Sequence, residues 1–157
     1  MTTDFRIVAL EAAEFAALFA LGEQDLHARG IRSVVADEDT GFPCRVSLAD
    51  AAVGDRLLLL PYVHHDVDGP YRASGPIFVR EGAVTARPAV NQIPPMLVRR
   101  LLSLRAYDAA GMLLAAEVTP GESLAEQIRR LFADPRATAL HVHNARPGCF
   151  NCRVVRA

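Results

Sequence analysis

Lysine is absent from this 157-residue sequence, as is tryptophan, and all seventeen basic side chains are arginine. Without lysine the chain supplies no Schiff base, no pyridoxal-phosphate anchor, no P-loop lysine and no lysine general base. The same bias, together with abundant alanine, also suits a GC-rich coding sequence. Excess charge of one sign is missing too: 17 arginines stand against 18 acids, a formal charge of -1. Broad electrostatic recognition of nucleic acid or of an anionic membrane surface is therefore disfavoured. Long apolar runs are lacking. Residues 12–21 are interrupted by Glu14 and residues 57–63 by Pro61, and neither approaches the roughly 20 residues that span a bilayer. The opening MTTDFRIVAL has an acid where a secretory signal carries positive charge. Cysteines number only three, an odd count that argues for reduced thiols over a disulfide framework. Together these absences predict a cytoplasmic protein.

What is present describes a globular chain, with hydrophobic residues at 51% and charged residues at 22%. Its length suits one domain with a core that needs no staples. Residues 4–10 read as a strand, 11–20 as a helix, 24–28 as a short second helix and 31–36 as a strand. Residues 56–60 suit a central strand with 77–80 as partner, leaving a long loop between them. Residues 83–95 carry three prolines and read as a crossing connection. Residues 102–107 and 112–118 flank DAAG as a hairpin, with Pro95 able to start a helical turn. SLAE at 123–126 has the form of a capping box opening a helix whose core face is Leu124, Ile128, Leu131 and Phe132. Residues 138–144 and 150–155 form a last pair of strands. The expected fold class is α+β: one mainly antiparallel sheet with about three packed helices.

The chemistry concentrates in HVHNARPGCFNCRVV, residues 141–155. His141 and His143 are two apart on a strand, so they share a face, while Leu140 and Val142 point to the other. Two imidazoles on one face are good ligand geometry for zinc, iron, copper or nickel. A four-residue turn at 145–148 sets His143 opposite Phe150 and His141 opposite Cys152. Cys152 then joins the histidines, whereas Cys149 faces away unless a bulge swings it round. The candidate zinc ligands are thus His141, His143, Cys149 and Cys152, against the alternative of a solvated histidine face and two small buried cysteines. A redox role for Cys-x-x-Cys is weaker, since a strand and not a helix follows.

His64 and His65 open the segment that continues through Asp66, Asp68, Tyr71, Arg72 and Ser74. Adjacent strand residues point oppositely, so at most one of the two histidines joins a common site easily. DVDG lacks the later acids of a calcium loop. Tyr71 and Arg72 suit a carboxylate or phosphate group, or else belong to a solvated loop. Cys44, between Pro43 and Arg45, is a third thiol that either reaches the histidines or is inert. No nucleophile elbow, Walker loop, dinucleotide fingerprint or His-Glu-x-x-His is present.

FPCRVSL at 42–48, GDRLLLLPYVH at 54–64, PYRASGPIFVRE at 70–81, LLSLRAYDAAGM at 101–112 and HVHNARPGCF at 141–150 together resemble a bacterial family, domain of unknown function 1203. The resemblance runs nearly the whole chain in order. It implies no reaction, substrate or cofactor, but it directs attention to Tyr71, Arg72, Arg105, Tyr107, His141, His143, Asn144 and Cys149. The combined expectation is a small-ligand or metal-binding protein, extending to an enzyme that acts on an anionic small molecule. Its ligand-binding candidates are His64, Tyr71, Arg72, Arg105 and Asn144. The rival is a non-catalytic interaction domain, in which the histidines never meet the other polar groups.

Overall fold

The computed structural model describes residues 2–157. Where the sequence leads one to expect a single sheet, the strands divide into two of five strands each. The second sheet holds β2 (Arg32–Val35), β5 (Arg56–His65), β6 (Ala73–Arg80), β3 (Pro43–Cys44) and β4 (Ala49–Asp50), in that order. The first holds β1 (Phe5–Val8), β10 (Phe150–Arg156), β9 (Ala139–Asn144), β7 (Leu101–Tyr107) and β8 (Leu113–Pro120). All pairings are antiparallel except the short parallel contact of β3 with β6. The divide falls at residues 81–94, a proline-bearing connection without strand structure. Its prolines cannot donate to a ladder, so β6 is not continued into β7 within one sheet.

The α-helices are α1 (Glu23–Ala28), α2 (Pro95–Val98) and α3 (Leu124–Phe132). The helix expected at residues 11–20 is instead two 3-10 segments, Ala12–Glu14 and Ala16–Ala20. Helix α3 buries Leu124, Ile128 and Phe132 against Leu102, Leu104, Leu140 and Val142 of the first sheet. Each such side chain contributes about 1.5–3 kcal/mol by leaving water. The capping box does not form. A 3-10 turn over Gly121–Ser123 runs straight into α3, leaving Ser123 at φ -100° and ψ 9° without a capping bond, whereas a cap requires extended backbone. A separate core gathers Phe15, Leu26 and Ile31 on Leu58, Leu60, Ile77 and Val79 of the second sheet.

That 3-10 turn also explains Gly121. A Cβ there would lie 1.9 Å from the Leu97 carbonyl oxygen and 2.5 Å from that of Val98, at the end of α2. Backbone cannot swing aside as a side chain can, so Gly121→Ala is expected to lower stability by about 2–3 kcal/mol in chemical denaturation. An unchanged midpoint would show that α2 and the turn are not held in this contact.

The feature that builds the site is the length of β5. The loop expected between residues 60 and 77 is mostly strand: β5 runs on through Pro61 to His65 and β6 begins at Ala73. Pro61 pairs with Pro76 on one side and lies beyond the last β2 partner on the other, where Arg32 meets Leu59. A missing amide there leaves no ladder bond unmade. The extension carries two histidines to the first sheet.

Candidate metal centre

On β9 the strand alternation places Leu140 and Val142 in the apolar core and His141 and His143 on the opposite face. Arg105 stands beside His141 and Ser103 beside His143 across the β7 ladder. Both histidines are buried, at 4% and 1% exposure, so this is no solvated sheet face.

The third imidazole arrives through a β-bulge. Val63 pairs with Ser74 and His65 with Ala73, which leaves His64 as the unpaired extra residue. A bulge breaks the two-residue alternation, so neighbouring histidines turn toward the same place, against the expectation that at most one would. The His64 ring lies 4.9 Å from that of His143 and 6.1 Å from that of His141. The His65 ring is 5.1 Å from His141 and stacks on Tyr107 at 3.9 Å. Phe150 stacks flat on His64 at 5.3 Å and meets both strand histidines edge-on, walling the cluster with hydrocarbon.

One ligand atom from each of His64, His141 and His143 falls in a group spanning no more than 4.8 Å. His143 donates from Nδ1 to the Gly148 carbonyl at 2.9 Å, which fixes Nε2 as its lone-pair nitrogen. That Nε2, together with Nδ1 of His64 and Nδ1 of His141, is buried without a hydrogen-bond partner. Three unsatisfied polar atoms in one histidine cluster call for an explanation, since buried polar groups are nearly always paired. His65 is different: its Nε2 donates to the Gly111 carbonyl at 3.0 Å, so it braces the cluster from outside. Gly111 must itself be glycine, with φ at 78° and a Cβ position only 2.8 Å from Val67 of the β5–β6 turn.

Burial removes water from the charged form, which pulls His141 down to about 3 and His143 to about 4 from an ordinary 6.5; the neighbouring histidines and Arg105 add to the effect. Desolvation, then Arg105 and His65, lower His64 in the same sense. At neutral pH all three imidazoles are uncharged, the form that binds a metal.

Neither Cys149 nor Cys152 belongs to this group. The β9–β10 register holds as expected at Phe150 opposite His143, then shifts: Cys152 meets Val142 and Arg153 meets His141. The extra residue, Asn151, throws Cys152 to the core face, where it is fully buried and its thiol pushed up to about 12 by desolvation. Cys149 sits outside the strand, its Sγ accepting from Asn144 Nδ2 at 3.3 Å. Cys44 is buried in the second core, its sulfur accepting from the Arg80 and Ser47 amides.

The ligand-binding candidates divide likewise. Arg105 is at the cluster, close enough to depress His64 and His143 and to act on Tyr107. Tyr71 packs edge-on against Tyr107 at 6.5 Å and is half exposed. Arg72 is paired with Asp66 at the surface and does not join the histidines. Asn144 points away from them, bonded to Cys149 and accepting from Asn151 Nδ2 at 2.7 Å. Sequence reasoning missed the parts played by His65 and Phe150. The pairing of His64 with His65 was the available signal, masked by strand parity.

Fold and site together define a two-sheet α+β protein with a closed cluster of three neutral imidazoles. Residues 41–156 match the model of a family described as a protein of unknown function, DUF1203. The chain belongs to that family, as the sequence resemblance implied. No curated protein and no solved structure matches it. No helix among the described residues is long and apolar enough to cross a membrane.

Proposed function

We propose that the protein binds one divalent transition-metal ion, zinc foremost, through His64, His141 and His143. The observation that carries this reading is the convergence of three uncharged imidazoles, two buried and His64 partly so, each with an unpartnered ring nitrogen. A metal satisfies all three nitrogens at once. Zinc with nitrogen ligands at about 2.0–2.1 Å sets tetrahedral neighbours about 3.4 Å apart, so the rings must close by about an ångström through small side-chain rotations. Imidazole suits zinc, copper, nickel and iron. The Gly148 carbonyl supplies the outer-shell acceptor that orients a ligating histidine.

Three protein ligands leave a fourth position, the arrangement of catalytic zinc sites. A bound ion would acidify a water there, and Arg105 stands nearby to hold an anionic substrate or the charge that develops on it. The reading extends to metal-assisted hydration or hydrolysis of a small anionic molecule. A non-catalytic interaction domain gives no reason for the histidines to converge beside Arg105.

The test is elemental analysis of tag-free protein purified without chelator, beside Cys149→Ser, Cys152→Ala and His143→Ala. One metal per chain is expected in the native protein and in both cysteine variants, and well below half in His143→Ala. Metal lost with either cysteine, or absent from native protein even after zinc addition, would sink the proposal.

A further inference from the structure

A cavity of about 570 Å³ lies away from the histidines. Arg45, Arg99, Arg100 and Arg146 line it together with Cys149, one residue past the Gly148 carbonyl that His143 binds. Four guanidinium groups repel one another, and a cavity that collects them invites an anion.

Their partners are too few. Asp50 answers two of them, accepting from Arg100 Nη2 at 2.5 Å and from Arg99 Nη1 at 3.2 Å. Glu38 lies against Gly41, another residue of the lining. Arg146 makes no ion pair among the described residues, and neither does Arg45. Arg45 is the telling case, being only 1% exposed. Its Nε donates to the Phe150 carbonyl at 2.7 Å and its Nη1 to that of Pro43 at 2.5 Å. Those neutral acceptors satisfy donors but leave the charge uncompensated, and a buried charge without a counter-charge is unfavourable. Set against Asp50 and Glu38, the four arginines leave two positive charges unmatched.

We propose that this cavity binds a phosphorylated small molecule, its phosphoryl group gripped by Arg45, Arg99 and Arg146 and its apolar body laid against Leu59, Phe78 and Leu101, while Arg100 is held by Asp50 and the Met96 and Thr40 carbonyls. A phosphate monoester carries close to two negative charges at neutral pH and offers three acceptor oxygens to several guanidinium forks. One carboxylate matches only half of the surplus. The volume lies in the range for whole small molecules, roughly 300–1,000 Å³, and the apolar wall has no use for a bare ion. The site is independent of the metal proposal, because none of its lining residues is a histidine.

Cys149 supplies a reporter. It is partly exposed and lines the cavity, while Cys44 and Cys152 are fully buried, so alkylation of the native protein reads this thiol. The experiment uses chelator-treated full chain, calorimetry and alkylation kinetics, with phenyl phosphate, inorganic phosphate and benzoate as probes. Phenyl phosphate is expected to bind saturably and to slow alkylation of Cys149. Inorganic phosphate and benzoate should bind about tenfold more weakly or less, and Arg146→Gln should weaken phenyl phosphate about tenfold, as for one charge-assisted hydrogen bond. His141→Ala should bind phenyl phosphate as native protein does. Absence of saturable binding, indifference to Arg146→Gln, or loss in His141→Ala would overturn the assignment. Inorganic phosphate binding as tightly as phenyl phosphate would overturn the part played by the apolar wall.

Discussion

Alanine in place of His141 is expected to abolish the rise in melting temperature that zinc gives the native protein. A ligand that binds only the folded state adds about 2.7 kcal/mol of stability at one hundred times its dissociation constant. For a chain of this size that corresponds to about 5–10 °C. Two imidazoles hold the ion far more weakly than three, so at the same zinc concentration the variant should show almost no shift. Without metal the comparison runs differently. The Nδ1 of His141 is buried and unpartnered, so truncation removes an unsatisfied polar atom along with ring packing on Tyr107 and Phe150. The metal-free variant should therefore lie within about 2 kcal/mol of native, as its lost packing is partly offset by the removed orphan. Thermal melts with zinc and with chelator, on native protein, His141→Ala and Cys152→Ala, separate these effects. Native protein and His141→Ala responding alike to zinc would end the three-histidine reading. Cys152→Ala must keep the full response, because its thiol packs against the other side of the sheet.

The fate of the two bulges explains what was legible in the sequence and what was not. Strand alternation put His141 and His143 on one face and Leu140 and Val142 on the other, and the structure agrees because nothing interrupts β9. The same rule failed twice, each time at a single inserted residue. Asn151 reverses the face of Cys152, and His64 escapes the parity that should have set it against His65. A bulge costs little and leaves no compositional mark; Asn151 and His64 are ordinary residues in ordinary strands. The division into two sheets was equally hidden. Hydrophobic period identifies strands but not their partners, and Leu57–Leu60 is as compatible with one sheet as with the other. The convergence of His64 from one sheet with His141 and His143 from the next is a long-range fact, fixed by how far β5 outruns β2. Even the cluster of arginines around Cys149 draws on residues from position 45 to position 146, a spread that no local motif encodes.

Acid should destabilise the metal-free protein well before its carboxylates titrate. In the unfolded chain His141 and His143 take up protons near 6.5, but folded they resist until about 3 and about 4. Between those limits the unfolded state binds more protons, so stability rises with pH. The contribution of the two groups is therefore complete above about pH 7 and is lost progressively as pH falls toward 3. By about pH 4.5 each costs about 2.5 kcal/mol, together a large share of the 5–15 kcal/mol typical of a folded domain. The direction is opposite to that of a histidine paired with a carboxylate, which stabilises in acid. It follows from the absence of any acid in the cluster: the groups acting on His141 are His64, His65, His143 and Arg153, all neutral or cationic. Urea titrations of chelator-treated protein at several values between pH 7.5 and 4.5 measure the effect. His141→Ala serves as the internal control, since every other titrating group is retained and its loss over the interval should be smaller by about 2.5 kcal/mol. Equal acid sensitivity of the two proteins would mean that His141 opens to water and charges in the folded state, and such a histidine would not be a preformed metal ligand.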